Sequence, residues 1–566
     1  MAASNEPAGA ATQQPQPHYL DAHALVRPNK IALICGERSL TYAAFNARAR
    51  RVANALSSLG VKANDRVAVM AYNSIELLEI VAGLSKLSAI GVLLNYRLRE
   101  HEVAYIINDC QAKVALAGPG LVEVVDEARG EIAGDVVFVA IGDAAPIRLA
   151  DAAQLAYGSG KTKGVGTNPS CQRRSLAASA SHSGRTKGEA RPGWQRYEDL
   201  LASASEDVYV SEGGLGSTMS YTSGTTGKPK GAYRPRGVPV AEIIRAVQTF
   251  ELVEPDVHLL AGPYYHSAPG FFVSLHLLLG STLVIQPKYD PVEALQLIER
   301  HKVTTTFMAP TLLQRLCEVP EDIFSRYDIR SLRSIILAGA PCPYVLKVHA
   351  TERLGECLWE FYGATETGVV TLLRPEDQLR KPGSCGKAGP GQEIRLLDDA
   401  GNEVPDGMPG EMWSRNSWLA EYYNKPEATA SNMRDGFFSV GDIAYRDEEG
   451  YYYICDRRID MIISGGVNIY PAEIEAVLTA HPAVADVAVI GVPDEHWGES
   501  VKAVVELRPG ARASSEELIA FCGERLAAYK KPRSVDFVAE LPRNPAGKLL
   551  KTHIREPYWK GVGRKI

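Results

Sequence analysis

A loop rich in glycine, hydroxyl and lysine side chains is the part of the sequence whose chemistry is easiest to infer. The segment YTSGTTGKPKG spans residues 221–231 and combines four serine or threonine hydroxyls with three glycines and two lysines. Glycines let backbone N–H groups converge on an anion, hydroxyls donate to phosphate oxygens, and lysines neutralise phosphate charge. The segment therefore predicts a phosphate-binding loop with these candidate contacts: Thr222, Ser223, Gly224, Thr225, Thr226, Gly227 and Lys228.

This loop differs from the P-loop pattern GxxxxGK[ST] of many nucleotide-binding proteins. Gly224 and Gly227 are only three residues apart, and Pro229 directly follows Lys228. Because proline opposes helix continuation, we do not expect the lysine to lead straight into a helix as it does in a P-loop. A flexible surface loop is the alternative, but the density of donors and cations favours a phosphate site of another type.

The segments that must position this loop have apolar patterns that predict alternating helices and strands. Residues 40–60 have helical spacing and end in glycine, whereas 66–72 and 334–340 are typical of short buried strands. Such alternation predicts an α/β body of mixed or parallel sheets flanked by helices. The most apolar stretch, 270–285, is shorter than the roughly 20 residues of a membrane span, and His276 interrupts it. It therefore predicts a buried helix followed by a buried strand.

Two segments fall outside this alternating pattern. Residues 1–18 lack a basic region and an apolar core, so they predict a disordered leader rather than a secretory signal. Residues 159–196 contain eight lysines and arginines against one acidic residue, with few large apolar residues. This composition predicts a basic, solvated surface insertion, and contact with anionic lipid or nucleic acid is the alternative.

Composition limits the classes of protein that the chain can represent. With 566 residues, of which 45% are hydrophobic, it fits two or more globular domains. A net charge of −6 argues against a surface that binds nucleic acid throughout. Nine scattered cysteines without a CxxC pair exclude a disulfide scaffold and favour a reducing cytoplasm. Oligomeric state and peripheral membrane contact are left open.

Four further motifs accompany the phosphate loop along the chain. They are FYGATETG at 361–368, SVGDIAYRDEEGYYYICDRR at 439–458, ISGGVNIYPAEIE at 463–475 and PRNPAGKLLK at 542–551. In sequence and order these motifs are similar to those of the adenylate-forming superfamily, which includes acyl-CoA synthetases, peptide-synthetase adenylation domains and firefly luciferases. The resemblance implies a large N-terminal body, residues 19–458, and a small mobile C-terminal α/β domain, residues 459–566.

The resemblance also implies an activity. A carboxylic acid and MgATP form an acyl-adenylate with release of pyrophosphate, and coenzyme A then displaces AMP to give an acyl-CoA. Because a carboxylate is already a nucleophile, such an enzyme needs positioning and charge neutralisation rather than an activating base. A non-catalytic adenylate-binding scaffold is the rival from another class.

The motifs carry the family's site residues onto numbered positions of this chain. Lys548 resembles the lysine that bridges the substrate carboxylate and the nucleotide. Glu366 matches the Mg²⁺ ligand, in line with the preference of Mg²⁺ for carboxylate and phosphate oxygens, and Thr365 matches the α-phosphate contact. The implied nucleotide contacts are Tyr362 on one side of the adenine, Gly339, Ala340 and Pro341 on its other side, Asp442 and Arg457 at the ribose, and Gly363.

The acid and coenzyme A sites are expected at other positions. His266 matches the mouth of the acyl pocket, with a buried core histidine as the alternative. Residues 262–280 contain no aspartate or glutamate, which favours an acid without an amino group. A medium- or long-chain fatty acid is the expected substrate, and an aromatic or polycyclic acid is the alternative. The expected coenzyme A contacts are Gly465, Gly466 and Trp497, of which the tryptophan could equally be a core residue.

One position departs from the family pattern. Ile459 stands where the resemblance places the hinge of domain rotation, usually aspartate or lysine. A β-branched residue is stiffer than either. We still expect rotation, because Gly465 and Gly466 follow closely.

Overall fold

The structure is a computed structural model that describes residues 18–142, 191–208, 217–222, 229–235, 237–457, 460–464, 467–494, 497–526, 528–543 and 549–560. Residues 1–17 of the predicted leader, residues 159–190 of the predicted insertion and the predicted hinge at Ile459 lie outside these ranges. His18, the last residue of the predicted disordered leader, is instead buried, and its side chain accepts a hydrogen bond from the Leu20 N–H.

The α-helices of the described residues are α1 Tyr19–Val26, α2 Tyr42–Ser58, α3 Ile75–Leu87, α4 Glu100–Asp109, α5 Val122–Ala128, α6 Tyr197–Ser203, α7 Val240–Thr249, α8 Ser267–Leu279, α9 Pro291–His301, α10 Pro310–Cys317, α11 Glu321–Phe324, α12 Tyr344–Leu354, α13 Pro426–Ser431, α14 Pro471–Thr479, α15 Ser515–Gly523 and α16 Lys551–Trp559.

The strands are β1 Ile31–Cys35, β2 Arg38–Thr41, β3 Arg66–Met70, β4 Ile90–Leu93, β5 Val114–Ala117, β6 Val137–Ala140, β7 Trp194–Arg196, β8 Ser217–Thr222, β9 Lys230–Tyr233, β10 Val257–Leu260, β11 Thr282–Ile285, β12 Thr305–Met308, β13 Ser334–Leu337, β14 Leu358–Ala364, β15 Gly368–Leu373, β16 Lys387–Ala388, β17 Glu393–Leu397, β18 Gly410–Arg415, β19 Glu421–Tyr422, β20 Met433–Arg434, β21 Phe437–Phe438, β22 Asp442–Arg446, β23 Tyr452–Arg457, β24 Ile462–Ser464, β25 Val467–Ile469, β26 Val484–Asp494, β27 Gly498–Leu507 and β28 Ser534–Val538.

Two large sheets with parallel centres form most of the body. One has the order β19-β9-β8-β4-β3-β5-β6-β7, and the other β16-β15-β14-β13-β12-β10-β11-β1-β2. Val69 of β3 and Leu283 of β11 belong to one hydrophobic core that also includes residues of α2 and α3. The helices therefore pack between the two sheets, which confirms the predicted α/β body of mixed or parallel sheets.

The local predictions for this body are confirmed where the structure describes them. The pattern at 40–60 forms α2, whose Thr41 cap accepts a hydrogen bond from the Ala44 N–H at 3.2 Å. The apolar stretch at 270–285 forms most of α8 and then β11, with His276 fully buried. Within the described ranges, no helix has the length and apolarity needed to cross a membrane.

The end of the predicted insertion differs from the expectation. Residues 194–196 form β7, which pairs in parallel with β6. Trp194 is buried and its ring lies 5.4 Å from that of Phe138. The sequence did not predict this strand for two reasons. The surrounding arginines made the segment resemble the basic insertion, and a three-residue strand has too few positions to show an alternating pattern.

A small C-terminal α/β domain follows the body, and we call its described residues, 460–560, the cap. Its sheet has the order β25-β24-β27-β26, with β28 beside β27. Its own core includes Ile474 of α14, Val489 of β26 and Leu518 of α15. This confirms the predicted small second domain. A third, antiparallel sheet of the body is formed by β17, β18 and β20–β23, and it carries Asp442.

Candidate active site

A cavity of about 3730 Å³ lies at the carboxyl ends of the parallel strands. Its walls include Tyr72 after β3, Tyr96 after β4, His266 after β10 and Gly339 after β13. Glu475, from the cap, lines the same cavity. Ligands of open α/β sheets bind at this edge of a sheet, because the loops that leave the strands meet there.

A β-hairpin brings the ends of the predicted phosphate loop to the cavity. Strands β8 and β9 are antiparallel, and Thr222 pairs with Lys230. Both residues and Pro229 line the cavity. Ser223, Gly224, Thr225, Thr226, Gly227 and Lys228 lie outside the described residues.

Glu366 is held beside this hairpin by two hydroxyl donors. Thr222 Oγ1 donates to Glu366 Oε1 at 3.1 Å, and the Tyr422 hydroxyl donates to the same oxygen at 2.9 Å. Burial, reinforced by the Glu366 carboxylate, raises the pKa of Tyr422, so its hydroxyl remains a donor. Sequence reasoning identified Thr222 and Glu366 but missed Tyr422, because no pattern links a tyrosine to a carboxylate 56 positions away.

The donor set at Glu366 fits a Mg²⁺ ion that is completed by phosphates. The residue is only 6% exposed, and among the described residues both hydrogen bonds go to Oε1 and none to Oε2. No group of three or more histidine, cysteine or acidic side chains in the described ranges could hold a metal by itself. One carboxylate with phosphate and water oxygens is a typical Mg²⁺ environment.

Arg234 is a second residue that sequence reasoning missed. Its Nη2 donates to the Thr365 carbonyl at 2.8 Å, and its Nε donates to the Trp418 carbonyl at 2.6 Å. Burial lowers the pKa of Arg234 to about 10, although Glu366 opposes that shift, so the guanidinium remains charged at neutral pH. The side chain therefore fixes the backbone of the turn that carries Thr365 and Glu366. Thr365 itself contacts Ser267, with 3.1 Å between the hydroxyl oxygens.

The predicted adenine and ribose residues are neighbours in the structure. The Tyr362 hydroxyl donates to Asp442 Oδ2 at 2.6 Å, and Asp442 is buried at the start of β22. Asp442 pairs with Arg457 in the backbone register of β22 and β23. Gly363 has no room for a side chain, because an added Cβ would lie 1.9 Å from the Gly368 carbonyl oxygen. Gly339, Ala340 and Pro341 line the cavity just after β13.

His266 is one of four neighbouring rings that line one side of the cavity. It is the N-cap residue of α8, and burial, with Arg97 as a smaller cause, lowers its pKa to about 4. Its ring centroid is 4.3 Å from that of Tyr265. Tyr265 packs edge-on against Tyr96 at 5.2 Å, and Tyr96 lies 4.6 Å from Tyr72. We call these four rings the aromatic wall.

Few of the site residues that were predicted in the cap, or just before it, lie among the described residues. Lys548, Gly465 and Gly466 lie outside them, and the Arg457 side chain is not described. The flanks of Lys548 are described: Arg543 and Leu549 form a β-bridge, and both line the cavity.

Trp497 is not a core residue. Its side chain is 42% exposed, the Arg533 guanidinium lies 5.1 Å from its ring centroid, and it is not among the cavity's lining residues. Surface exposure removes the core-packing alternative for this indole.

Comparisons with known proteins agree with this geometry. Family models match at residues 20–424, the AMP-binding enzyme, and at residues 473–548, the AMP-binding enzyme C-terminal domain. A long-chain-fatty-acid–CoA ligase of Mycobacterium tuberculosis is 35% identical over 522 residues, which cover 92% of this chain and 93% of that protein. The indoleacetate–CoA ligase of Aromatoleum aromaticum is 33% identical over 545 residues, with coverages of 95% and 97%.

A solved structure extends the similarity to the fold. The ATP-bound MatB structure from Rhodopseudomonas palustris has a TM-score of 0.79 and 28% identity, covering 97% of this chain and 99% of that one. Matches of this extent show that the chain belongs to the adenylate-forming superfamily of AMP-binding enzymes and is of the acyl-CoA synthetase type.

Proposed function

We propose that this chain converts an unaminated carboxylic acid, most favourably an aromatic one, into its coenzyme A thioester through an acyl-adenylate. The observation that carries the proposal is that one cavity collects the ends of the phosphate loop, the Thr222–Glu366 contact and the Tyr362–Asp442 pair. These groups suit a nucleotide's phosphates, a metal ion and a ribose, respectively.

The first step joins the acid to the nucleotide. A carboxylate oxygen attacks the α-phosphorus of ATP, the bond between the α-phosphorus and the bridging oxygen breaks, and pyrophosphate leaves. Bound Mg²⁺ would neutralise charge on the leaving pyrophosphate. We assign Glu366 to hold that ion, Thr365 to contact the α-phosphate, and Lys548 to bridge the carboxylate and the nucleotide.

The second step transfers the acyl group to coenzyme A. The thiolate attacks the acyl carbon, the carbon–oxygen bond to AMP breaks, and AMP leaves with the electron pair. We propose that the pantetheine arm passes Gly465 and Gly466, where a backbone without side chains permits close approach. The Trp497 indole and Arg533 offer a stacking surface and a cation to the nucleotide end of coenzyme A.

The aromatic wall supports an acid with a flat ring. Offset and edge-to-face contacts between rings add about 0.5–1.5 kcal/mol to simple burial. Burial lowers the pKa of His266 to about 4, so the imidazole is neutral at pH 7 and presents no charge to a ring substituent of the acid. The relative from Aromatoleum aromaticum is named for an aromatic acid, indoleacetate.

A medium- or long-chain fatty acid is the second candidate substrate. Val81, Leu277 and Leu278 line the same cavity and offer an apolar surface to an alkyl chain. The relative from Mycobacterium tuberculosis is named for long-chain fatty acids. The cysteines of the described residues are free thiols, which supports a reducing cytoplasmic location for either reaction.

The deciding experiment measures coenzyme A-dependent release of AMP with aryl acids and with fatty acids of increasing chain length. We expect the highest kcat/KM with an aryl acid, and a maximum on a fatty acid would reverse the order of the two candidates. ATP–pyrophosphate exchange serves as the parallel measurement. A non-catalytic scaffold would show no exchange with any acid.

Lys548→Ala tests the bridging role in the same assays. We expect it to abolish adenylate formation while sparing thioester formation from supplied acyl-adenylate. Lys530→Ala is the control, because Lys530 pairs with Glu473 within the cap and does not line the cavity. Loss of the second step alone would contradict the role assigned to Lys548.

A further inference from the structure

We propose that the last turn of α4 clamps both ends of the phosphate loop, and that Asp109 is thereby a positioning residue for ATP binding. The inference rests on the proposed function, because Asp109 and Tyr105 are inferred to position the loop that binds ATP in that proposal. Neither Asp109 nor its neighbour Tyr105 is among the residues that line the cavity.

The first contact is at the start of the loop. The Tyr221 hydroxyl donates to Asp109 Oδ2 at 2.7 Å. Tyr221 directly precedes Thr222, whose hydroxyl donates to Glu366. Holding the Tyr221 side chain against α4 therefore fixes the strand end from which Thr222 reaches Glu366.

The second contact is at the end of the loop. The Tyr105 hydroxyl donates to the Pro229 carbonyl at 3.1 Å. Tyr105 and Asp109 are four residues apart on α4, so they lie on the same face of the helix. One turn of α4 thus contacts the Pro229 backbone at one end of the loop and the Tyr221 side chain at the other end.

The negative charge of Asp109 is balanced by a third residue, Lys425. Asp109 is the last residue of α4, and a carboxylate at a helix C-terminus faces the negative end of the helix dipole. Lys425 compensates by placing its Nζ 2.5 Å from Asp109 Oδ1. Lys425 closely follows Tyr422, the second donor to Glu366, so the same ion pair also ties that segment to α4.

The chemistry of Tyr221 is consistent with a permanent donor. Burial, followed by Cys110 and the hydrogen bond to Asp109, raises the pKa of Tyr221 far above its usual range. The hydroxyl therefore stays protonated at neutral pH and remains a donor. Because Asp109 accepts this bond as a carboxylate, the contact is of the stronger, charge-assisted kind.

Two substitutions test the clamp, one at Asp109, which lies outside the cavity, and one at Tyr221, which lines it. Tyr221→Phe removes the hydroxyl and keeps the ring, and Asp109→Asn keeps the shape but removes the charge. We expect each to raise the Kd for MgATP, measured by titration calorimetry, and the KM for ATP by about tenfold, the typical worth of a hydrogen bond to a charged group. The KM for the acid should stay within about twofold. The matched control is Tyr453→Phe, because the Tyr453 hydroxyl bonds to Asp447 at 3.1 Å in another sheet.

The double variant separates a shared clamp from two independent effects. If Asp109 acts through Tyr221, the double variant should bind MgATP no more than about twofold more weakly than the worse single variant. Unchanged ATP affinity in both single variants, or an equal rise in the KM for ATP and for the acid, would overturn the proposal. The calorimetric Kd does not require turnover. A wild-type protein that binds MgATP but shows no exchange with any acid would therefore contradict the proposed function, and the clamp would still be tested.

Discussion

Single residues at this site work as shared acceptors and donors. Glu366 accepts from Thr222 and Tyr422 on one oxygen, and Arg234 donates to two carbonyls of neighbouring segments. A buried carboxylate or guanidinium is stable only when such partners satisfy it. The partners therefore also define the geometry in which the site residue meets its ligand.

Replacing Glu366 by glutamine tests the metal role directly. The amide keeps the size and can still accept from Thr222 and Tyr422, but it lacks the charge that favours Mg²⁺. We expect ATP–pyrophosphate exchange to fall by about a hundredfold, the order seen when one transition-state contact is lost. The exposed Glu393, on β17, provides the control Glu393→Gln. Exchange that remained near wild type in Glu366→Gln would remove the metal assignment.

Replacing Arg234 by lysine tests the turn that carries Thr365. Lysine keeps the charge but cannot donate to two carbonyls in the planar geometry of a guanidinium. We expect adenylate formation to slow by about tenfold, with little change in the midpoint of thermal unfolding. The surface pair of Arg326 and Asp322 offers Arg326→Lys as a control. A wild-type rate in Arg234→Lys would mean that the turn holds its shape without the guanidinium.

At the level of elements, the hairpin of β8 and β9 depends on one position without a side chain. Gly231 pairs with Tyr221, and an added Cβ would lie 2.7 Å from Met219 Sδ and 3.1 Å from the Tyr221 ring. Met219 is fully buried, so it has little freedom to move away. The glycine of the loop motif thus serves packing beneath the loop as well as the loop itself.

Gly231→Ala should therefore disturb both the stability and the nucleotide site. Overpacking of this kind typically costs about 1–3 kcal/mol, and displacement of Tyr221 should raise the KM for ATP. The free energy of unfolding, from urea titration, and the KM for ATP should change together. Gly130→Ala is the matched control, since an added Cβ there meets nothing within 4 Å. A neutral effect of Gly231→Ala on both quantities would contradict this packing argument.

The whole molecule carries buried histidines whose protonation opposes folding. Burial, helped by Lys86, lowers the pKa of His18 to about 3, and burial lowers that of His276 to about 4. Below pH 6.5 the unfolded chain binds protons at these positions and the folded chain does not. The stability that these two histidines contribute is therefore fully present above pH 6.5 and is lost as the pH decreases from 6.5 towards about 4.

His18→Asn isolates one of these groups. Asparagine can replace the side-chain acceptor that caps the N–H of Leu20, but it does not titrate. We expect the free energy of unfolding to decrease less steeply with falling pH in the variant than in the wild type. The two slopes should differ by about 1.4 kcal/mol per pH unit between pH 6 and 4. The exposed His101 gives the control His101→Asn. Parallel pH profiles for wild type and His18→Asn would exclude His18 as a source of the acid sensitivity.

The sequence by itself determined the family, the α/β class and the small C-terminal domain, and it predicted Thr222, Glu366, Tyr362 and Asp442 as site residues whose roles stay predictions. These follow from motifs and from apolar periodicity, which are local along the chain. The predicted roles of Lys548, Gly465 and Gly466 rest on resemblance and stay predictions.

Tertiary structure alone decided which side chains meet. The Asp109–Tyr221 contact joins residues 112 positions apart, the Arg234–Thr365 contact joins residues 131 apart, and the Tyr422–Glu366 contact joins residues 56 apart. Burial decided the protonation of His266 and Arg234. The physical reason is that contacts between distant segments and the water they exclude depend on how the sheets stack, and no local pattern records that stacking.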